Sequence, residues 1–148
     1  MKKIFLLFAL TLLVLQMQVQ AQSKNLLDKD VPVIVKNEFS KTHPDAMEIG
    51  WKQINTDYYV EYTQNAFIRY SSYTPEGKLI DTRDKITTFE LPQPAYAYVK
   101  EHHQSVPLKE YFRITDAAGN VTYGVKIKDQ QVLFDKSGTY LKTVDFIL

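Results

Sequence analysis

Apolar residues along this chain alternate between two periods, and the switches between them mark out its elements. Val31, Val35 and Phe39 recur at helical spacing, with Lys36, Asn37 and Lys41 on other faces. Asp30 is placed to cap this helix, with Pro32 in the first turn, where a missing N–H costs nothing. Pro44 disfavours the helical conformation at His43, so the helix ends at or before that residue. Period-two alternation follows. Met47, Ile49 and Trp51 alternate with Glu48, Gly50 and Lys52, and Tyr58, Val60 and Tyr62 with Tyr59, Glu61 and Thr63. Gln64-Asn65 reads as a short turn. A third strand runs from Ala66 to Thr74, with Ile68 and Tyr70 on one face and Phe67, Arg69 and Tyr73 on the other. Pro75-Glu76-Gly77 is a turn, and residues 78–86 form a fourth strand.

The order then recurs. Leu91, Ala95 and Val99 have helical spacing, and Pro107 closes that segment. Leu108, Phe112 and Ile114 alternate with Lys109, Tyr111 and Arg113. Val121 to Ile127 is a clear alternating strand, Gln131 to Asp135 a short one, and Thr139 to Phe146 closes the chain. Val31-Pro32 matches Leu91-Pro92 at an offset of 60, Tyr58 matches Val121 at 63, Ile68 matches Val132 at 64 and Gly77 matches Gly138 at 61. The offset changes in turns, where insertions are tolerated. The expected fold is therefore α+β: a tandem duplication of one helix followed by four antiparallel strands, units 31–86 and 91–148. The two units would join into one sheet of about eight strands with both helices on one face, making one domain.

The N-terminus has the form of a secretory signal. Lys2 and Lys3 precede the apolar run Ile4–Leu15, which is too short to span a bilayer, and Val19-Gln20-Ala21 places small residues at the cleavage positions. Cleavage after Ala21 leaves residues 22–148, with 22–30 as a polar lead-in. A lipid anchor would need a cysteine, and the chain has none. The whole sequence carries +1; without Lys2 and Lys3 the balance is 16 basic against 17 acidic residues, net −1. The charges form no block, which argues against a nucleic-acid or anionic-membrane footprint. The lack of cysteine also removes thiol catalysis and thiolate-bound zinc, and it fits a core-stabilised protein of a bacterial periplasm or exterior.

Val31-Pro32, Leu91-Pro92, Phe39, His43-Pro44, Trp51, the Tyr58–Tyr62 strand, the Tyr70–Gly77 segment and Phe134-Asp135-Lys136-Ser137-Gly138 together resemble the exported PepSY-like proteins of Gram-negative bacteria, whose fold is like that of the beta-lactamase-inhibitor proteins. The resemblance covers the whole mature chain. Its motif is structural and diffuse, and His43-Pro44 stands where such families usually show Tyr-Pro. It implies binding of a ligand, peptide or protein, extending to inhibition of an enzyme, and it names no target.

The residues themselves offer little chemistry. His102 and His103 are adjacent, so on a helix they point about 100° apart and do not share an ion. Glu61, Glu76, Asp81 and Asp84 have no feature that pairs two of them for glycoside chemistry. Ser71, Ser72 and Ser137 lack a nucleophile-elbow context. Asn120-Val121-Thr122 has the form of a glycosylation sequon but reads as a turn. Aromatic residues carry the remaining signal, with 10 Tyr and 8 Phe. If Tyr58, Val60, Tyr62, Ile68, Tyr70, Leu108, Phe112 and Ile114 face the helices, then Tyr59, Phe67, Tyr73 and Tyr111 share the opposite, open face, with Leu133 on the same phase. Two readings fit: ordinary cross-strand aromatic pairing, or a binding surface covered by a partner or a dimer mate.

The expectation is an exported, periplasmic or secreted, non-catalytic binding module. It would present Tyr59, Phe67, Tyr73 and Tyr111 to a protein or peptide and need no metal or cofactor. The alternative is a small-ligand or envelope-stress binding protein using the groove between the two units.

Overall fold

A computed structural model describes residues 23–104 and 110–148. The export signal with its cut after Ala21, and the element boundaries expected at Pro107 and Leu108, lie outside the described residues.

Helix α1 spans Val33–Thr42. Pro32, rather than the expected Asp30, is its cap residue, and no side chain caps it; the Pro32 carbonyl accepts the N–H groups of Val35 and Lys36 at 3.0 and 3.1 Å. The helix stops at His43, whose N–H reaches the Phe39 carbonyl at 2.8 Å, immediately before Pro44. Helix α2, Gln93–His102, has the same form: Pro92 is the cap residue and the His103 N–H closes on Val99 at 2.9 Å. Each helix buries one i, i+4 pair, Val35/Phe39 in α1 and Ala95/Val99 in α2.

The strands are β1 Ser23–Leu26, β2 Met47–Ile54, β3 Asp57–Gln64, β4 Phe67–Tyr73, β5 Leu79–Ile86, β6 Glu110–Asp116, β7 Val121–Ile127, β8 Gln130–Phe134 and β9 Tyr140–Asp145. They form one antiparallel sheet in the order β1 to β9. This corrects the expected architecture of two helix-plus-four-strand units in an eight-stranded sheet with both helices on one face. The described residues form a mostly-sheet fold: an unbroken nine-stranded meander carrying two ten-residue helices. The polar lead-in supplies the additional strand. Its polar sequence gives no alternation signal; β1 forms because the outer edge of β2 offers unpaired backbone groups, and Leu26 pairs opposite Trp51.

Turn chemistry sets the register. The β3–β4 connection is the two-residue turn Asn65-Ala66, with φ of 53° and 64°, as a type I′ hairpin requires. Gln64 therefore pairs with Phe67, and Val60 and Tyr58 lie opposite Ser71 and Tyr73. Gly77 and Gly138 occupy corresponding turns at φ 79° and 89° and are tucked against helix starts, Gly77 under Ile34 and Gly138 under Pro92 and Ala95.

Two buried clusters result. One holds Val31, Val35, Phe39, Trp51, Val60, Tyr62 and Tyr73; the other holds Leu91, Ala95, Val99, Tyr111, Val125, Ile127, Val132 and Phe134. Phe39 organises the first, with Trp51 and Tyr62 edge-on at 5.6 and 5.1 Å. Each fully buried aliphatic or aromatic side chain contributes about 1.5–3 kcal/mol.

Candidate functional site

The four aromatic residues expected to share an open face are separated. Tyr73 is fully buried beside Phe39, with its hydroxyl 3.4 Å from that of Thr42 at the end of α1. Tyr111 is buried in the cluster under α2. Phe67 is 66% exposed, but the Asn65-Ala66 turn places it opposite Gln64, in phase with Val60 and Tyr62 rather than with Tyr59. Tyr59 alone keeps the expected phase, half-buried opposite Lys52 and Ser72. The alternation failed where both faces of a strand are covered. In β4 the inward positions are Ser71 and Tyr73, and Tyr70 points the other way. In β6, Tyr111 faces α2, while Phe112 and Ile114 are buried on the opposite side.

That opposite side is the outer face of the sheet. Cross-strand pairing aligns Gly50, Glu61, Tyr70, Arg83 and Ile114 in one row and Lys52, Tyr59, Ser72 and Asp81 in the next. The segment after β9 covers part of it. Phe146 lies against the Phe112 ring at 5.7 Å, and the Lys126 ammonium sits 4.1 Å from the Phe146 ring centre. Ile147 and Leu148 then wall a groove of about 170 Å³, whose other sides include Leu26, Trp51, Tyr59, Glu61 and Tyr70. A side chain at Gly50 would meet nothing within 4 Å, so the groove floor is open there. The sequence pattern assigned Phe146 to the last strand, whereas β9 ends at Asp145 and Phe146-Ile147-Leu148 leaves the sheet edge. Three consecutive apolar residues after the last alternating strand were the signal available for it.

The outer face is polar around this groove. Asp81 accepts two hydrogen bonds from Arg83, both at 3.1 Å, and one from Ser72 at 2.9 Å. Glu110 is shared by Lys85 at 2.6 Å and Lys126 at 2.8 Å. Those two ammonium groups, Lys126 first, hold the Glu110 carboxyl below its usual range, and Glu110 in turn raises Lys85. Burial raises the phenols of Tyr59 and Tyr70. Both stay protonated at neutral pH and present O–H groups beside apolar rings.

Two other polar groupings lie on the other face of the sheet. His43 Nε2 is 3.4 Å from the Ser71 hydroxyl and 3.5 Å from that of Tyr62, and Ser71 donates to Tyr62 at 3.2 Å. Burial lowers the His43 pKa, a hydrogen bond with Gln64 partly opposing it. Ser71 is 1% exposed, so this trio satisfies buried polar groups and offers no accessible nucleophile. Asp84 pairs with Arg113 at 3.1 Å and Arg69 at 3.4 Å in a cleft that also includes Phe67, Ile86 and Glu90. His102 stacks on Tyr98 at 4.1 Å, and its Nδ1 lies 2.9 Å from the Tyr98 carbonyl, so it belongs to the helix end. Among the described residues no three His, Asp or Glu side chains converge as a metal site, and no helix is long and apolar enough to cross a membrane.

No protein-family model and no curated protein matches the sequence. Solved structures do match in shape. A protein of Bacteroides eggerthii described as periplasmic superposes with a TM-score of 0.66 at 17% identity, covering 78% of this chain and 88% of that one. A DUF2874 family protein of Bacteroides ovatus gives 0.63 at 18%, covering 77% and 86%. A BLIP-like protein of Bacteroides fragilis gives 0.55 at 14%, covering 76% and 84%. At these identities the likeness is one of fold.

Proposed function

We propose that this protein is a non-catalytic binding module of the bacterial envelope that receives a protein or peptide segment on the outer sheet face. The observation that carries the reading is the mostly apolar groove beside Tyr59 and Tyr70, open at Gly50 and bordered by Lys52 and Glu61. Tyrosines that combine a large apolar surface with a free hydroxyl give contact area at low entropic cost. The export-signal pattern of the first 21 residues, and a neighbour described as periplasmic, support the compartment. The BLIP-like neighbour and the resemblance to beta-lactamase-inhibitor proteins support a protein-facing role, with enzyme inhibition as one form of it. Burial of Ser71 and pairing of Asp84 by two arginines support a role without catalysis.

The test is affinity capture from a native periplasmic extract, using residues 22–148 as bait beside two variants. A Tyr59→Ala/Tyr70→Ala variant should fold and lose the captured protein, and Phe67→Ala should retain it. The reverse pattern would move the site to the cleft around Arg69, Asp84 and Arg113 and favour a small-ligand role.

A further inference from the structure

The segment Phe146–Leu148 follows β9 without extending it. It is held by one backbone hydrogen bond, from the Phe146 N–H to the Asp129 carbonyl at 2.8 Å, and by the seat of its ring between Phe112 and Lys126. Ile147 and Leu148 then reach the Tyr59/Tyr70 groove. The segment thus shows what the outer face accepts: an aromatic ring on Phe112, then two aliphatic residues beside Tyr59 and Tyr70.

This cover leaves the face incompletely satisfied. Arg83 is 8% exposed and Gln131 2%; Arg83 Nε and Nη2 are held by Asp81, while Arg83 Nη1 and Gln131 Nε2 are buried donors with no acceptor among the described residues. Both lie on the outer face: Arg83 is the cross-strand partner of Tyr70 and Gln131 that of Lys126. Lys85 and Lys126 share the single carboxylate of Glu110. Glu61 already brings a carboxylate to the row of Tyr70 and Arg83, and the segment's side chains are all apolar.

We propose that Phe146–Leu148 is an exchangeable strap holding the place of a partner, and that the partner is an extended protein segment with an aromatic residue followed by two aliphatic ones. The inference rests on the outer face being the binding surface. A strap tethered to its own groove competes at high effective concentration, so loosening it exposes the site to a ligand in solution.

The experiment titrates the peptide Val-Asp-Phe-Ile-Leu, the sequence of residues 144–148 as a free acid, into residues 22–148. The readout is the heat of binding by titration calorimetry. Phe146→Ala should bind the peptide at least tenfold tighter than the native chain, because its own strap has lost its anchor. Equal or weaker binding by a Phe146→Ala variant with a native circular-dichroism spectrum overturns the strap. If that variant does not fold, amide exchange of the native chain decides: Phe146 exchanging many-fold faster than Val125 supports the strap, and equal protection overturns it. Replacing the peptide's Phe by Ala should weaken binding at least fivefold; no change overturns the partner chemistry. Binding that is the same for native and Phe146→Ala but abolished by Tyr59→Ala/Tyr70→Ala overturns the strap while the binding face stands. Binding indifferent to Tyr59 and Tyr70 overturns both.

Discussion

Replacing Gly138 by alanine should destabilise the protein more than the same change at Gly119, although both residues have left-handed φ, 89° and 86°. At Gly119 a Cβ meets nothing within 4 Å, so only the backbone conformation opposes it. An L-residue in that region costs about 1–2 kcal/mol, and the lower entropy of the unfolded alanine chain returns about 0.4–1 kcal/mol. The net loss expected for Gly119→Ala is therefore about 1 kcal/mol. At Gly138 the same Cβ would lie 2.9 Å from the Ala95 nitrogen and 2.9 Å from the Pro92 Cβ. Neither is the end of a flexible side chain: one is helix backbone and the other a proline ring. Overpacking of this kind adds about 1–3 kcal/mol, giving about 2–4 kcal/mol in total. Urea denaturation of residues 22–148, followed by Trp51 fluorescence, measures both variants; a shift in midpoint at constant slope reads as stability. Equal losses in the two variants would refute the claim that the β8–β9 turn is clamped under the start of α2.

Other expectations follow from the packing and the charges. Trp51→Ala and Tyr73→Ala should each cost about 3–5 kcal/mol, whereas Phe67→Ala should stay within about 0.5 kcal/mol; denaturation midpoints compare the three. His43 has a folded pKa below its ordinary 6.5, so below that value the unfolded chain binds more protons and stability should fall as pH drops. A His43→Gln variant should flatten that part of the pH–stability curve, and an unchanged slope would show that the ring is not desolvated. Glu110 has a folded pKa below its ordinary 4.5, so its contribution is complete above that value and is lost as pH falls through the depressed one. Glu110→Gln should therefore reduce acid sensitivity in that lower window, read from the same curves.

Local periodicity placed most elements well, because half-buried strands alternate and the helices each bury an i, i+4 pair. Val121–Ile127 has the bounds expected of it, and α1 ends at the Pro44 boundary. What periodicity could not give was phase in strands covered on both sides. Tyr111 and Phe112 are adjacent and both buried, so neither apolar content nor alternation distinguishes their faces. In β4 the small polar Ser71 faces inward because His43 and Tyr62 satisfy its hydroxyl, so its polarity misled the assignment. Reading Asn65-Ala66 as a two-residue hairpin would have fixed that register. A bulge between Glu48 and Gly50 likewise separates exposed Met47 from buried Trp51, although they share a phase in the sequence. β1 had no local signal, because its strand character comes from the edge it pairs with. The groove depended on that edge and on the return of Phe146–Leu148 across the sheet, both long-range features.

The placement of ligand on the outer face is tested most directly by chemical-shift mapping of isotope-labelled residues 22–148, in native and Phe146→Ala forms, during titration with Val-Asp-Phe-Ile-Leu. The account predicts that the largest changes fall on Gly50, Lys52, Tyr59, Glu61 and Tyr70, extend to Phe112, and leave Val35 and Val99 in the helices unmoved. Changes centred instead on Phe67, Arg69, Asp84 and Arg113, or spread along α1 and α2, would contradict it.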